Sequence, residues 1–217
     1  MRTVTINYNV YTYDELSDSA KERVKEWYLN DTYRSYIFSE DVEYDLEYLF
    51  GKNNNMDIQY SLAYCQGDGF NIYGSVSVHE VINFIKEHKL HGDFDKFQNV
   101  LTADEMDTIL LYAEDADGIG LPYNLHYCYC ISDNIEFAGE WKDQLEWAIE
   151  EGYAKFDNID MELIKKFENL VRDLFGELCK MYEKWGYDFF YEIDDADLSD
   201  LCKANEYEFL EDGTFWS

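Results

Sequence analysis

The chain has 217 residues, 47% of them apolar and 18% aromatic, which is enough for a packed core and too hydrophobic for a disordered segment. Asp and Glu number 47 against 17 Lys and Arg, and the resulting formal charge of −30 repels nucleic acid at close range and attracts basic proteins. No stretch approaches the run of about eighteen apolar residues that a membrane span needs, and basic residues are too sparse for a polybasic membrane patch.

The opening segment MRTVTINYNVYTY alternates with period two over residues 3–13. Val4, Ile6 and Tyr8 fall on one face and Thr3, Thr5 and Asn7 on the other, which predicts a first strand. The segment lacks the apolar block and small-residue cleavage site of a secretory leader. In YDELSDSAKERVKEWYLND, Leu16, Ala20, Val24 and Trp27 recur at helical spacing, with Ser17 or Asp14 as the cap. A second helix is predicted from Ser39, with Val42, Leu46, Leu49 and Phe50 as its apolar stripe and Gly51 as its stop.

YSLAYCQGDGFNIYG, from Tyr60 to Gly74, reads as a hairpin. Ile58, Tyr60, Leu62 and Tyr64 share one face of the incoming strand, and Phe70, Ile72, Val76 and Val78 share one face of the outgoing strand. The Asp-Gly step places the turn at Gln66–Gly69, with Gln66 and Asp68 exposed at its tip as candidate contact residues. A helix follows, ending near His91 and Gly92, then a short helical piece and a capped helix from Thr102. ADGIGLPYN is predicted as a glycine-containing loop into a second hairpin, built on Leu125, Tyr127, Tyr129 and Ile131 outward and on Ile135 and Phe137 in return.

EWKDQLEWAIEEG is a helix stopped by Gly152. The longest helix is placed near 159–185, with Ile164, Phe167, Val171, Leu174, Leu178, Met181 and Trp185 as its apolar stripe and Gly186 as its end. YDFFYEI is predicted as a strand, DADLSDLCKANE as a short capped helix, and YEFLEDGTFW as a last hairpin with its own Asp-Gly turn. Strand pairs joined by tight turns, with helices to cover them, give an α+β class: an antiparallel sheet of hairpins in a single domain over 1–217.

Few motifs carry chemistry. His126, Cys128 and Cys130 alternate onto one face of a predicted strand and are the zinc candidates, with Cys65 as a fourth ligand only if it points to that same face. Same-face strand neighbours stand about 6.5–7 Å apart, wider than zinc ligands sit, so small side chains filling a sheet face is the favoured reading, and no cofactor or metal is assigned. The sequence has no G-x-S-x-G elbow, P-loop or G-x-G-x-x-G, and its net negative field works against a thiolate nucleophile. No catalytic residue is assigned and an enzyme is not expected. The five cysteines are an odd number without the spacing of a secreted disulfide framework, which fits a reducing cytoplasm.

Carboxylates cluster instead. Glu40, Asp41, Glu43, Asp45 and Glu47 crowd one predicted helix, and Glu192, Asp194, Asp195, Asp197 and Asp200 form the densest late run. Helical neighbours three or four apart sit about 5–6 Å apart, so an acidic helix presents charge at a density comparable to a nucleic-acid backbone. The 20 tyrosines, several set among the acids, add contact area at low entropy cost.

DELSDSAKERVKEWY, YSLAYCQGDGFNIYG and YDFFYEIDDADLSDLCKANEYEFLEDGTF together resemble a loose family of acidic bacteriophage and prophage proteins, some of them carrying an antitoxin-like label. The resemblance implies a phage accessory protein acting in a bacterial cytoplasm and assigns no catalytic residue. With the charge, it leads to the expectation of an inhibitor that binds a basic, nucleic-acid-handling host defence protein, a CRISPR effector or restriction component, with nucleic-acid mimicry as one means. The alternatives are an antitoxin-like partner of a basic toxin and a small metal-dependent factor. Direct binding to nucleic acid or membrane is not expected.

Overall fold

A computed structural model describes residues 1–2, 7–52, 54–65, 67–114, 117–121, 140–152 and 159–216. The class is α+β, with a three-stranded antiparallel sheet and a two-stranded one among the described residues. The chain divides into two compact units, one formed by Met1–Phe38 with Gly186–Ser217 and the other by Ser39–Trp185.

In the first unit, a 3-10 turn at Tyr13–Glu15 leads into α1 (Asp18–Leu29), where the Ser17 hydroxyl accepts the Ala20 N–H as the N-cap. The unit closes with α7 (Asp195–Ala204) and the short hairpin of β4 (Glu208–Phe209) and β5 (Phe215–Trp216). Tyr13, Leu16, Ala20, Val24, Leu198, Cys202 and Phe209 make one buried cluster. Trp27 stacks on Phe215 beside it, with ring centroids 4.6 Å apart. Gly213 turns the hairpin at φ +83°, and a Cβ there would lie 2.3 Å from the Ala20 carbonyl oxygen. The predicted opening strand reduces, among the described residues, to one antiparallel bridge between Tyr11 and Phe209, while residues 3–6 of that prediction lie outside them.

The second unit holds the larger sheet. The strands β1 (Asn55–Ser61) and β2 (Gly69–Ser77) pair from Asn55 opposite Ser75 to Ser61 opposite Gly69. This register faces Ile58 to Ile72 and Tyr60 to Phe70, and the last two rings lie parallel. The third strand, β3 (Gly118–Leu121), pairs with the other edge of β2 and leaves β2 central. The glycines of this segment predict a loop. Its Ile119 and Leu121 are buried in alternation, but Gly118 and Gly120 disguise the strand period. Val78, read as the end of β2, instead opens α3 (Val78–Glu87), because the Ser77 hydroxyl accepts the Glu80 N–H and caps a helix there. His88 then takes a left-handed conformation, φ +56°, and stops α3 before the predicted end at His91 and Gly92.

The Thr102–Glu105 capping box starts α4 (Ala103–Ala113), and α5 (Glu140–Glu150) follows. The second predicted hairpin, Leu125 to Phe137, lies outside the described residues. In this unit Phe84, Phe50 and Phe175 stack in a row with centroids 5.1 and 5.2 Å apart.

Two α-helices remain. The first, α2 (Tyr33–Phe50), begins six residues before the predicted Ser39, and Gly51 at φ +80° ends it as expected. The second, α6 (Met161–Tyr191), passes straight through Gly186, so the predicted strand YDFFYEI is helical for most of its length. An interior glycine costs a helix about 1 kcal/mol. Phe189 and Phe190 repay it by packing against the fully buried Phe38 at 5.5 and 5.2 Å, each ring pair contributing about 0.5–1.5 kcal/mol. Of the predicted stripe, Ile164, Phe167, Val171, Leu174 and Leu178 are buried, and Met181 and Trp185 are half-buried. None of the described helices is long and apolar enough to cross a membrane.

Candidate functional site

The first carboxylate cluster lies on α2. Helical spacing buries Val42, Leu46, Leu49 and Phe50 and leaves Glu40, Asp41, Glu43, Tyr44, Glu47 and Tyr48 exposed on the opposite side. Tyr44 and Tyr48 are 73% and 65% exposed, so these rings are not core. Asp45 is set apart from its neighbours. It is half-buried and accepts the Tyr182 hydroxyl at 2.7 Å, which commits that carboxylate to packing. Burial first, and the Asp45 bond second, raise the Tyr182 phenol above its ordinary range and keep it a donor. The Lys89 ammonium donates to the carbonyls of Tyr48 and Leu49 and so sits at the negative end of the α2 dipole. The far end of the face is thereby anchored, while Glu40, Asp41 and Glu43 stand on the exposed turns before it.

The second cluster is divided by role. Asp194 caps α7 by accepting the Asp197 N–H, and Asp195 accepts the Tyr13 hydroxyl. Asp200 lies 3.9 Å from Lys203, whose ammonium also pairs with Asp14. Glu192 and Asp197 are exposed. Part of this acidity therefore builds the helix start, where negative charge is favourable.

Asp68 is not the exposed tip that the Asp-Gly step predicted. The strands separate at Ser61 and rejoin at Gly69, so the connection is longer than four residues and folds back on the carboxylate. Asp68 is half-buried and accepts the N–H groups of Ala63 at 2.7 Å and Cys65 at 2.9 Å, together with the Ser61 hydroxyl at 3.0 Å. The Cys65 thiol donates to it as well, at 3.1 Å. That bond holds the thiol above its usual range, the opposite of what a nucleophilic cysteine needs. Gln66, the other tip candidate, lies outside the described residues, as do His126, Cys128 and Cys130.

Two further features escaped the sequence reading. A groove of about 590 Å³ in the second unit is lined by Lys96, Lys166, Lys180, Asn169, Asp173 and Glu177. Its lysines are matched by carboxylates, Lys96 and Lys180 by Glu177 and Lys166 by Glu105, so the groove is close to charge-neutral rather than an anion trap. The other feature is the convergence of His88, His91 and Asp95 after α3. Its signal is the H-x2-H-x3-D spacing in HKLHGDFD, visible once α3 is known to stop at His88.

No family model matches the chain, and no curated protein or solved structure matches it either.

Proposed function

We propose that the chain is a non-enzymatic acidic inhibitor, a phage accessory protein of the bacterial cytoplasm. In this reading it binds a basic, nucleic-acid-handling host defence protein and occupies the surface that would hold nucleic acid. The observation that carries it is the α2 face, where Glu40, Asp41, Glu43 and Glu47 stand exposed around Tyr44 and Tyr48. Carboxylates at helical spacing offer charge at a density a phosphate-binding groove can accept, and tyrosines add area without much entropy loss. The charge of −30 speeds encounter with a basic partner.

The test is affinity capture from bacterial lysate with the purified protein as bait, at low and at high salt. A basic nucleic-acid-binding protein held at low salt and released at high salt is the expected result, because exposed charge contacts are screened within about 10 Å at 0.1 M salt. Failure to retain any such protein at low salt would overturn the proposal.

A further inference from the structure

We propose that His88, His91 and Asp95 form a binding site for a divalent transition-metal ion of the zinc class. The backbone brings them together within eight residues. His88 ends α3 in the left-handed region, Gly92 reverses the chain at φ +72°, and a 3-10 turn over Gly92–Phe97 places Asp95 back beside both imidazoles. Phe94 and Phe97, 7% and 4% exposed, pin that turn to the core, so the loop is held by packing and not by the polar groups alone.

The donor atoms are closely spaced. His88 Nε2 lies 2.9 Å and His91 Nδ1 3.7 Å from Asp95 Oδ1, and the ligand atoms of all three residues fall within 4.8 Å of one another. An ion with tetrahedral bonds of about 2.0–2.1 Å sets its ligand atoms about 3.3–3.4 Å apart. The observed spacings bracket that value, so small rotations of partly exposed side chains complete the geometry. The side chains are 34%, 76% and 56% exposed, which leaves them room to rotate. Two imidazoles and one carboxylate suit zinc, nickel, cobalt or copper, whereas magnesium and calcium prefer all-oxygen sets. Three protein ligands leave a fourth position for water or for a group supplied by a partner. The negative field of the whole chain raises the local concentration of any cation.

This group differs from an ordinary surface histidine–carboxylate hydrogen bond in its number of donors. His79 and Asp117 form such a bond, with Nδ1 2.6 Å from the carboxylate, but no third ligand joins them among the described residues. His79 therefore serves as an internal control.

The experiment is calorimetric titration of the chelator-treated 217-residue chain with Zn²⁺, with the visible spectrum of the Co²⁺ form as a readout of ligand number. The expected result is one saturable site, weakened at least about tenfold in His91→Ala and in His88→Asn and unchanged in His79→Ala. Even the loss of a residue that only supports a ligand costs that much affinity. Asparagine at 88 tolerates the left-handed conformation, so that variant removes the imidazole without straining the turn. Zn²⁺ should also raise the melting temperature of the native chain and leave that of His91→Ala unmoved. The proposal is overturned by the absence of a saturable site or by undiminished affinity in both variants. Affinity lost only when His126, Cys128 and Cys130 are replaced would also overturn it.

Discussion

Replacing Asp68 tests whether the hairpin connection is a passive turn or a structure organised by one carboxylate. Four donors converge on it: two backbone N–H groups, the Ser61 hydroxyl and the Cys65 thiol. Hydrogen bonds to a charged group contribute about 1.5–3 kcal/mol each where water is excluded. Ala63 and Cys65 are exposed, so water replaces much of what is lost on their side. A total of about 2 kcal/mol for Asp68→Ala is therefore reasonable, well short of the sum of the separate bonds. With a urea dependence of about 2 kcal/mol/M, the unfolding midpoint should fall by about 1 M, followed by circular dichroism. Asp68→Asn should recover little, because its amide nitrogen presents a donor where the loop presents donors. It should also lower the Glu183 carboxyl, which burial raises first and the Asp68 charge raises further. A midpoint shift below about 0.2 M in both variants would refute the reasoning and return Asp68 to the role of a simple turn residue.

Gly74→Ala should destabilise by about 3 kcal/mol or more in urea unfolding, because φ is +110° and the new Cβ would lie 2.0 Å from the Asn55 carbonyl oxygen. A loss under about 1 kcal/mol would mean that β1 and β2 separate easily there. Tyr182→Phe removes the donor to Asp45 and should cost about 1.5–2 kcal/mol by the same assay, with the secondary structure retained. Glu105 is held below its ordinary carboxyl range by the Lys166 ammonium first and the Thr102 N–H second. A depressed folded-state value contributes stability above the ordinary value of 4.5 and loses it as pH falls through the folded value. The stability difference between the native chain and Glu105→Gln should therefore be present at neutral pH and vanish in acid, as read by melting temperature from pH 7 to below the ordinary carboxyl value. A difference that is the same at every pH would refute it.

The helical parts of the fold were legible where caps and apolar stripes agree. Ser17, one of the two caps offered with Asp14, and Thr102 cap the helices they were expected to start, while Asp194, read only as part of an acidic run, caps α7; Val42, Leu46 and Leu49 lie on the buried side of α2. Legibility failed where one residue type serves two conformations. Gly186 looked like a stop yet sits inside α6, since aromatic packing of Phe189 and Phe190 outweighs a modest helical penalty. Gly118 and Gly120 looked like a loop yet stand opposite Ser77 and Ser75 in the sheet. The acidic clusters were visible as composition, but their division into cap, buried acceptor and exposed charge was not. Asp45 and Glu43 are two residues apart, and only the helix face and the partner Tyr182 separate their roles. The His88–His91–Asp95 group needed the left-handed His88, a backbone feature that the sequence does not announce.

The most direct test of the proposed inhibition is competition on the captured partner. A labelled nucleic acid bound to that protein is titrated with the native chain and, in parallel, with a variant carrying Glu40→Gln, Asp41→Asn, Glu43→Gln and Glu47→Gln, with fluorescence anisotropy as the readout. These side chains are exposed, so the variant should keep its fold and its melting temperature. The account predicts that the native chain displaces the nucleic acid and that the variant does so at least about tenfold less well, with the difference shrinking as salt rises. Equal displacement by the two proteins, or none by the native chain, would contradict it.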